Sequence, residues 1–165
     1  MTAVATVRPA TRADQSALGR LGALLVRTHH EFDARRFIAP TPGTARGYGS
    51  FLVSQAMERD TIVLVADLGG EVVGYTYAGV EGADWMSLRG PAGVVHDIVV
   101  DPAHRGRGIG ELLLEATVAA LAVRGAPRVV LSTAERNEHA QRLFARAGFR
   151  RTMIEMTREI AEDAG

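Results

Sequence analysis

The pattern of apolar and polar positions along the chain predicts alternating strands and helices. Its clearest stretch lies in the middle, where β-branched residues dominate 94–100 and predict a buried strand. A turn with glycine at alternate positions follows at 105–110, and apolar residues then recur at helical spacing over 111–121. The pattern therefore predicts a strand, a loop and a helix in succession, with the other elements arranged around them.

The segments on either side of this unit complete the predicted set of elements. Runs of β-branched and aromatic residues between turn residues indicate strands, and apolar residues three and four apart indicate helices. In chain order we predict a strand at 4–7, a helix over about 14–28, a helix over about 44–59, a hairpin of strands at 61–66 and 71–80, the central unit, a strand at 128–133, a short helix over 137–148 and one or two last strands within 149–160. No repeat, linker or low-complexity segment interrupts this order, so we predict a single domain over 1–165.

The composition is that of a soluble globular domain. Hydrophobic residues make up 47% and charged residues 23% of the 165 residues. The 19 basic residues are balanced by 19 acidic ones, so no overall field favours nucleic acid or an anionic membrane as a partner. The absence of cysteine excludes a disulfide framework, a cysteine nucleophile and a thiolate metal site. No apolar run reaches the ~18 to 20 residues of a membrane span, and the amino terminus lacks the regions of a signal peptide, so we expect a cytoplasmic protein.

The turn at 105–110, with the sequence Arg-Gly-Arg-Gly-Ile-Gly, has the chemistry of a phosphate-binding loop. Its three glycines leave backbone N–H groups without side chains in front of them, where a helix also leaves its first N–H groups unpaired. The positive end of the helix dipole and the charges of Arg105 and Arg107 add to this. The turn therefore predicts a site for a diphosphate, held by backbone geometry and by charge together.

Two common phosphate-binding motifs do not fit this turn. A Walker A loop requires Gly-Lys-Ser/Thr, but Gly110 is followed by Glu111, and the dinucleotide fingerprint requires glycine where Glu111 stands. The pattern Arg/Gln-x-x-Gly-x-Gly/Ala does fit, with Arg105, Gly108 and Gly110. Together with the strand before it, this stretch resembles the acyl-CoA-binding motif of the GCN5-related N-acetyltransferases, the GNAT superfamily.

A second motif near the carboxyl terminus resembles the same superfamily. In the GNAT pattern this helix reads Asn-x-x-Ala-x-x-Leu/Phe-Tyr, followed by Gly-Phe. The matching residues here are Asn137, Ala140, Leu143, Phe144, Gly148 and Phe149. The two motifs stand in the family's order and are separated by one predicted strand, and the resemblance extends from the first strand to Phe149.

The resemblance implies a fold, a reaction and a cofactor. The fold is of the α/β (α+β) class, with a central mixed, mostly antiparallel sheet of six to seven strands that is splayed at its central strands to admit acyl-CoA and flanked by about four helices. The reaction is transfer of an acetyl group from acetyl-CoA, as co-substrate and without a metal, to a primary amine. The partner would be a small-molecule or peptide amine, and by analogy with the family the chain could form a homodimer.

The resemblance also assigns the residues that bind acetyl-CoA. The diphosphate would lie on the amides of 105–110 and the pantetheine arm along 98–100, where its two amides can add to a strand edge. Asn137 would reach the arm or the far end of the cofactor. The residues predicted to contact acetyl-CoA are Ile98, Val99, Val100, Arg105, Gly106, Arg107, Gly108, Ile109, Gly110, Asn137 and Phe144.

Acetyl transfer to an amine needs a group that accepts a proton, because alkyl amines with a pKa of about 10 are mostly protonated at neutral pH. His96 is the leading candidate, since strand alternation places it on the face of Ile98 and Val100; the alternative is a histidine hydrogen-bonded within the sheet. Alternation directs Asp97 to the opposite face, where it is either a structural partner or a catalytic group. A backbone N–H near Val99 or Val100 would stabilise the oxyanion.

Phe144 departs from the family pattern. Many members have tyrosine there to protonate the departing thiolate, and phenylalanine cannot do so. The departure is tolerable because a thiol with a pKa of about 8.5 is an adequate leaving group. Tyr75 is the predicted substitute donor, with Tyr48 and Tyr77 as further candidates.

The acceptor is not fixed by any spacing in the sequence. Glu31 could bind a cationic amine, and Phe32 and Trp85 could form an apolar wall, with Trp85 on a loop that borders the acceptor site. The adjacent pair His29 and His30 invites a metal site, but no third ligand follows from the spacing, and no metal is predicted.

Two other functions stay open at this point. One is a non-catalytic acyl-CoA sensor on the same fold, which the phenylalanine at position 144 suggests. The other is a small nucleotide-binding α/β protein without acyl chemistry. Turnover with an amine distinguishes the enzyme from the sensor, and preference for ATP or NAD over CoA would indicate the nucleotide-binding protein.

Overall fold

The computed structural model describes residues 3–160, so the predicted domain of 1–165 extends beyond the described residues at both ends. Short 3-10 turns at Arg12–Asp14 and Pro102–His104 precede α1 and the glycine-rich turn at 105–110. The strands and helices in chain order are β1 (Thr6–Pro9), α1 (Gln15–Phe32), α2 (Thr44–Ala56), β2 (Thr61–Leu68), β3 (Glu71–Glu81), β4 (Ala92–Val100), α3 (Ile109–Val123), β5 (Val129–Leu131) and α4 (Glu138–Arg146).

These strands form one sheet in the order β1-β2-β3-β4-β5. The first four strands are antiparallel neighbours, and β5 lies parallel to β4. β5 pairs with β4 only over 93–95, so the remainder of β4 has no strand on that side within the described chain. The predicted fold class is thereby confirmed, with a mixed, mostly antiparallel sheet that opens at its central strands and four helices around it.

The helices cover both faces of the sheet. Leu18 and Leu21 of α1 and Leu52 of α2 pack on one face, and their cluster includes Tyr75 and Val99 of the sheet. On the other face, α3 packs its buried leucines against β3 and β4. Burial of these side chains removes apolar surface from water, which is the main force that holds helix layers on a sheet.

Two glycines allow helices and strands to approach closely. A Cβ atom at Gly49 of α2 would lie 2.5 Å from the carbonyl oxygen of Gln15 at the start of α1. A Cβ atom at Gly93 of β4 would lie 2.9 Å from a methyl group of Leu121 on α3. Both distances are too short for a side chain, so glycine sets the spacing of α1 against α2 and of α3 against the sheet.

The described sheet has five strands, fewer than the six to seven predicted. The difference lies after α4, where 151–160 form neither helix nor strand and every residue is exposed. The apolar side chains of this segment contact no core, since Met153, Ile154 and Met156 are 74% to 89% exposed. One hydrogen bond from Arg151 to Gln141 and an ion pair between Arg36 and Glu155 hold the segment against the body instead.

No helix within 3–160 combines the length and the apolar character that crossing a bilayer requires.

Candidate active site

A cleft of about 560 Å³ lies where β4 and β5 separate. Its walls come from β4, the loop before α3, α4 and the end of α1. Of the residues predicted to contact acetyl-CoA, those that line the cleft are Ile98, Val99, Val100, Arg105, Gly106, Gly108, Ile109, Gly110, Asn137 and Phe144. Arg107 does not line it, because this side chain borders a separate cavity beside residues 3–5 and Leu68.

The loop at the base of the cleft has the backbone that its glycines predict. Gly106 and Gly108 have φ angles of +75° and +76°, a left-handed conformation that favours glycine. Within residues 3–160, the N–H groups of 106–111 make no hydrogen bond to the protein. Gly108 directly precedes α3, so these free N–H groups lie at the positive end of the α3 dipole. The arrangement is that of an anion-binding site.

Interactions on both sides fix the position of this loop. The Asp101 side chain accepts a hydrogen bond from the N–H of Ala103, and Arg20 of α1 forms an ion pair with Asp101 at 2.6 Å. These partners lower the pKa of Asp101, the backbone hydrogen bond most of all. Arg105 Nε donates to the carbonyl oxygen of Val100 at 3.2 Å, so its guanidinium is held at the end of β4.

The open edge of β4 presents backbone groups to the cleft. The N–H of Asp101 donates to Val73 of β3, and backbone groups of a strand alternate between its two sides. The backbone N–H and C=O groups of Val99 therefore face β3, while those of Ile98 and Val100 face the cleft. Of the two positions predicted for the oxyanion donor, the alternation leaves Val100.

A β-bulge changes the direction of the side chains at the other end of this edge. Asp97 lies opposite Tyr77 and Val95 opposite Ala78, which leaves His96 as an extra residue without a partner on β3. The prediction that His96 and Asp97 face opposite sides is therefore wrong. Asp97 bonds to tyrosines on the α1 and α2 side of the sheet, and the His96 ring lies 4.9 Å from the ring of Tyr77 on that side.

His96 borders the cleft and contacts a carboxylate that the sequence reasoning missed. Its Nε2 atom lies 3.0 Å from Oε1 of Glu81, the last residue of β3. The other carboxylate oxygen of Glu81 accepts a hydrogen bond from Arg89 at 3.0 Å. No local pattern signals this pair, since the strand register sets Glu81 opposite Ala92, four residues before His96, and the contact is made by the side chains.

Asp97 also borders the cleft, and it is buried with 8% of its surface exposed. Its Oδ2 atom accepts hydrogen bonds from the hydroxyl groups of Tyr48, at 2.7 Å, and Tyr75, at 2.9 Å. Its Oδ1 atom has no hydrogen-bond partner among residues 3–160. Burial raises the pKa of Asp97, although the two tyrosine hydrogen bonds oppose this effect.

The two tyrosines differ in their access to the cleft. Tyr48 lines it, whereas Tyr75 has no exposed surface and lies beneath Asp97. This position corrects the prediction of Tyr75 as the donor to a departing thiolate, because its hydroxyl contacts Asp97 and not the cleft. Burial raises the pKa of both tyrosine hydroxyls, and the nearby Asp97 charge adds to the increase.

The end of α1 forms the wall of the cleft opposite β4. Because α1 continues to Phe32, past its predicted end near 28, His29 and Phe32 lie on its last turn and both line the cleft. The other two predicted acceptor residues do not line it, since Glu31 points to solvent and Trp85 is 85% exposed on the β3–β4 loop. In the described part of the chain, no three His, Asp or Glu side chains come together as a metal site.

The helix after β5 completes the cleft. The Asn137 side chain accepts a hydrogen bond from the N–H of Ala140 and so begins α4. Phe144 is buried, with its ring 6.1 Å from the ring of Phe149. Because residue 144 is phenylalanine, this position lacks the hydroxyl group that the tyrosine of the family pattern has.

The chain resembles known proteins both in sequence and in structure. A mycothiol acetyltransferase of Thermobispora bispora is 38% identical over 96 residues, which cover 56% of this chain and 31% of that protein. The chain thus spans about a third of the length of the curated relative. Among solved structures, a tetramutant of the BH1408 protein of Bacillus halodurans has a TM-score of 0.80 at 22% identity, over 94% of this chain and 99% of that one. The aminoglycoside N-acetyltransferase AAC(6′)-Iy in complex with CoA has a TM-score of 0.71 at 15% identity, over 97% of both chains.

The two structural relatives show the fold, and the sequence relative carries the name of an acetyl-transferring enzyme. The model of the Acetyltransferase (GNAT) family matches residues 28–149, which is more than half of the chain and contains both motifs. The chain therefore belongs to the acetyltransferase (GNAT) family, as its two motifs predict.

Proposed function

We propose that this chain is an N-acetyltransferase that transfers the acetyl group of acetyl-CoA directly to a primary amine. The proposal is carried by the N–H groups of 106–111, which have no protein partner within 3–160 and lie next to an edge of β4 that no described strand covers. Free amides at a helix start fit a diphosphate, and an unpaired strand edge fits the amides of pantetheine. Family membership and the name of the curated relative support the same chemistry.

In the proposed complex, acetyl-CoA runs along the cleft in one direction. Its diphosphate lies on the loop at 106–111, assisted by Arg105 at the end of β4. The pantetheine arm pairs with the outward backbone groups of Ile98 and Val100. The thioester then lies near Asp97 and His96, the next residues along the strand.

The transfer follows from this placement. The nitrogen of the neutral amine attacks the thioester carbonyl carbon, a C–N bond forms, and the C–S bond breaks to release CoA as its thiolate. His96 accepts the proton that the amine loses, and the Glu81 carboxylate stabilises the imidazolium that results. The outward N–H of β4 nearest to His96 and Asp97, that of Ile98, stabilises the charge that develops on the carbonyl oxygen, while Val100 pairs with the pantetheine arm. The thiolate leaves without a tyrosine donor because its conjugate acid has a pKa of only about 8.5.

A binding experiment with two arginine variants tests the placement of the diphosphate. Arg105→Ala is expected to weaken acetyl-CoA about tenfold in calorimetry and to leave acetyl-pantetheine, which has no diphosphate, unaffected. Arg107→Ala is the matched control, because Arg107 lies in the same loop but outside the cleft, and its effect is expected to be within about twofold. Equal losses for both ligands in the Arg105 variant would contradict the placement.

A thiol-release assay over a panel of amines tests the reaction itself. The proposal expects release of free CoA that depends on at least one amine. The alternative is a non-catalytic sensor, which the phenylalanine at position 144 favours. Tight acetyl-CoA binding without release in the presence of any amine would identify the sensor, and absence of acetyl-CoA binding would contradict both functions.

A further inference from the structure

We propose that the acceptor is a monoamine with an apolar or aromatic body. Its ammonium group binds at Asp97 and releases one proton to solvent before the neutral amine attacks the thioester. This inference rests on the proposed function and specifies the substrate class of the same cleft. It follows from two features at the far end of the cleft from the diphosphate loop. One is a pocket of rings, and the other is a single buried carboxylate.

The pocket of rings, called here the aromatic pocket, consists of His29, Phe32, Phe37 and Tyr48. The ring of His29 lies 5.0 Å from that of Phe37 and 6.0 Å from that of Phe32, with the rings nearly perpendicular in both pairs. Such edge-to-face contacts hold aromatic walls in place. The walls between the rings are also apolar, since Leu24, Leu25 and Ile38 line the same part of the cleft.

The aromatic pocket offers few partners to a hydroxylated ligand. The Nδ1 atom of His29 is already in contact with the carbonyl oxygen of Leu25 at 2.9 Å, and the Tyr48 hydroxyl donates to Asp97. A sugar ring placed there would exchange most of its hydrogen bonds to water for few to the protein, which costs about 1–3 kcal/mol for each polar group left unpaired. An aryl or alkyl body would gain free energy from the same burial.

The negative charge at this end of the cleft can bind one ammonium group beside the aromatic pocket. Asp97 and Glu111 are the carboxylate residues that line the cleft within 3–160, and Glu111 lies in the first turn of α3, next to the diphosphate loop. Only Asp97 therefore serves the acceptor end. Its Oδ2 atom is occupied by two tyrosine hydroxyls, while Oδ1 has no partner among the described residues and can accept an N–H of the amine. A polyamine or an aminoglycoside would carry further cations without a carboxylate partner.

Tyr48 joins the two features into one site. Its ring is a wall of the aromatic pocket, and its hydroxyl lies 2.7 Å from Asp97. An amine separated from its ring by one or two carbons would therefore reach Asp97 while its body remains between the rings. His96, the neighbour of Asp97 on the bulge, would then lie next to the nitrogen to be acetylated.

The experiment measures kcat/KM for a matched set of amines at saturating acetyl-CoA. The probes are 2-phenylethylamine, ethanolamine, spermidine, glucosamine and kanamycin. We expect 2-phenylethylamine to exceed each of the others by at least about tenfold, because a hydrophobic pocket discriminates by this order for the loss of even a small apolar group. A higher kcat/KM for spermidine, glucosamine or kanamycin would overturn the inference and leave the proposed function standing.

Variants show whether the named residues cause the preference. Phe32→Ala is expected to lower kcat/KM for 2-phenylethylamine about tenfold and for ethanolamine less than about twofold. Glu31→Gln is the matched control, since Glu31 is the exposed neighbour of Phe32 on α1, and we expect no change with either amine.

Asp97→Asn should raise KM for both amines with acetyl-CoA affinity intact, and an unchanged KM would contradict the role of Asp97. No CoA release with any amine, at intact acetyl-CoA affinity, would refute the proposed function and this inference with it.

Discussion

The hydroxyl group of Tyr75, which has no exposed surface, donates a 2.9 Å hydrogen bond to the buried carboxylate of Asp97. Tyr48 donates to the same oxygen atom from the cleft side, so one oxygen receives both hydroxyls. Tyr75 thus contacts a residue of the cleft wall, Asp97, and does not line the cleft itself. The Tyr75 hydroxyl and the Asp97 carboxylate thus form a polar contact within the apolar layer between the sheet and helices α1 and α2.

Replacement of Tyr75 by phenylalanine should destabilise the fold measurably. The substitution keeps the ring but removes one donor from a buried carboxylate, and the loss of a hydrogen bond to a charged group costs about 1.5–3 kcal/mol. We expect urea denaturation to show a decrease of this size in the free energy of unfolding. Tyr77→Phe is the control, because the Tyr77 hydroxyl bonds to the neutral amide oxygen of Gln55 and a loss of about 1 kcal/mol or less is expected. Equal losses in the two variants would contradict the special role of Tyr75.

The stability of the protein should depend on the ionisation of Asp97. Burial raises the pKa of Asp97 in the folded chain, so the unfolded chain releases this proton at a lower pH. Asp97 therefore makes its full contribution to the free energy of unfolding below its pKa in the unfolded chain, about 3.9. This contribution falls as the pH rises from that value through the higher pKa of Asp97 in the folded chain. Asp97→Asn cannot titrate, so the stability of the wild type relative to this variant should decrease over that interval. Urea denaturation from pH 4 to 7 checks this, and a difference that rises with pH would have the wrong sign.

A pair of glycine variants should separate the backbone strain of the loop from its role in binding. Gly108 and Gly125 have φ angles of +76° and +85°, and a Cβ atom at either would meet nothing within 4 Å. Alanine at either position should therefore cost a similar ~1–2 kcal/mol of stability. Only Gly108→Ala should weaken acetyl-CoA, by about tenfold or more, because only this residue belongs to the loop of free N–H groups. Calorimetry measures the affinity, and equal affinity in both variants would argue against a diphosphate on this loop.

Removal of His96 should affect the chemical step and not cofactor binding. His96→Ala is expected to lower kcat by about 10²- to 10⁴-fold and to remove the acidic limb of the pH–rate profile, with acetyl-CoA affinity unchanged. Glu81→Gln retains the imidazole and removes a partly exposed charge partner, so a decrease of only a few-fold is expected. A pH–rate profile in His96→Ala that matches the wild type would return His96 to a structural role.

Much of the fold and of the cleft beside β4 could be predicted from the sequence because local signals determine them. The glycines at 106 and 108 permit the left-handed backbone that the loop adopts, and β-branched residues over 94–100 favour a buried strand. The motif after β5 likewise marks the start of α4 at Asn137 through its capping side chain. Such features depend on neighbours in the chain, which a sequence displays directly.

The features that were missed depend on contacts between distant segments. Simple alternation assigned His96 and Asp97 to opposite faces, because the bulge exists only in the pairing of β4 with β3. Glu81 meets His96 for the same reason. The apolar residues of 149–160 resemble a strand, but a strand needs a partner edge, and 151–160 pair with none of the described strands.

The extra residue on β4 has a consequence for how this protein could change its substrate over evolution. His96 and Asp97 are adjacent in the chain, so a peptide linkage held between two layers of the core keeps their separation constant. Three of the four rings of the proposed aromatic pocket come instead from the last turn of α1 and the segment after it. Mutations there could exchange one acceptor for another while the proton-transfer distance stays the same, which allows selectivity to diverge within a lineage without passing through inactive ancestors.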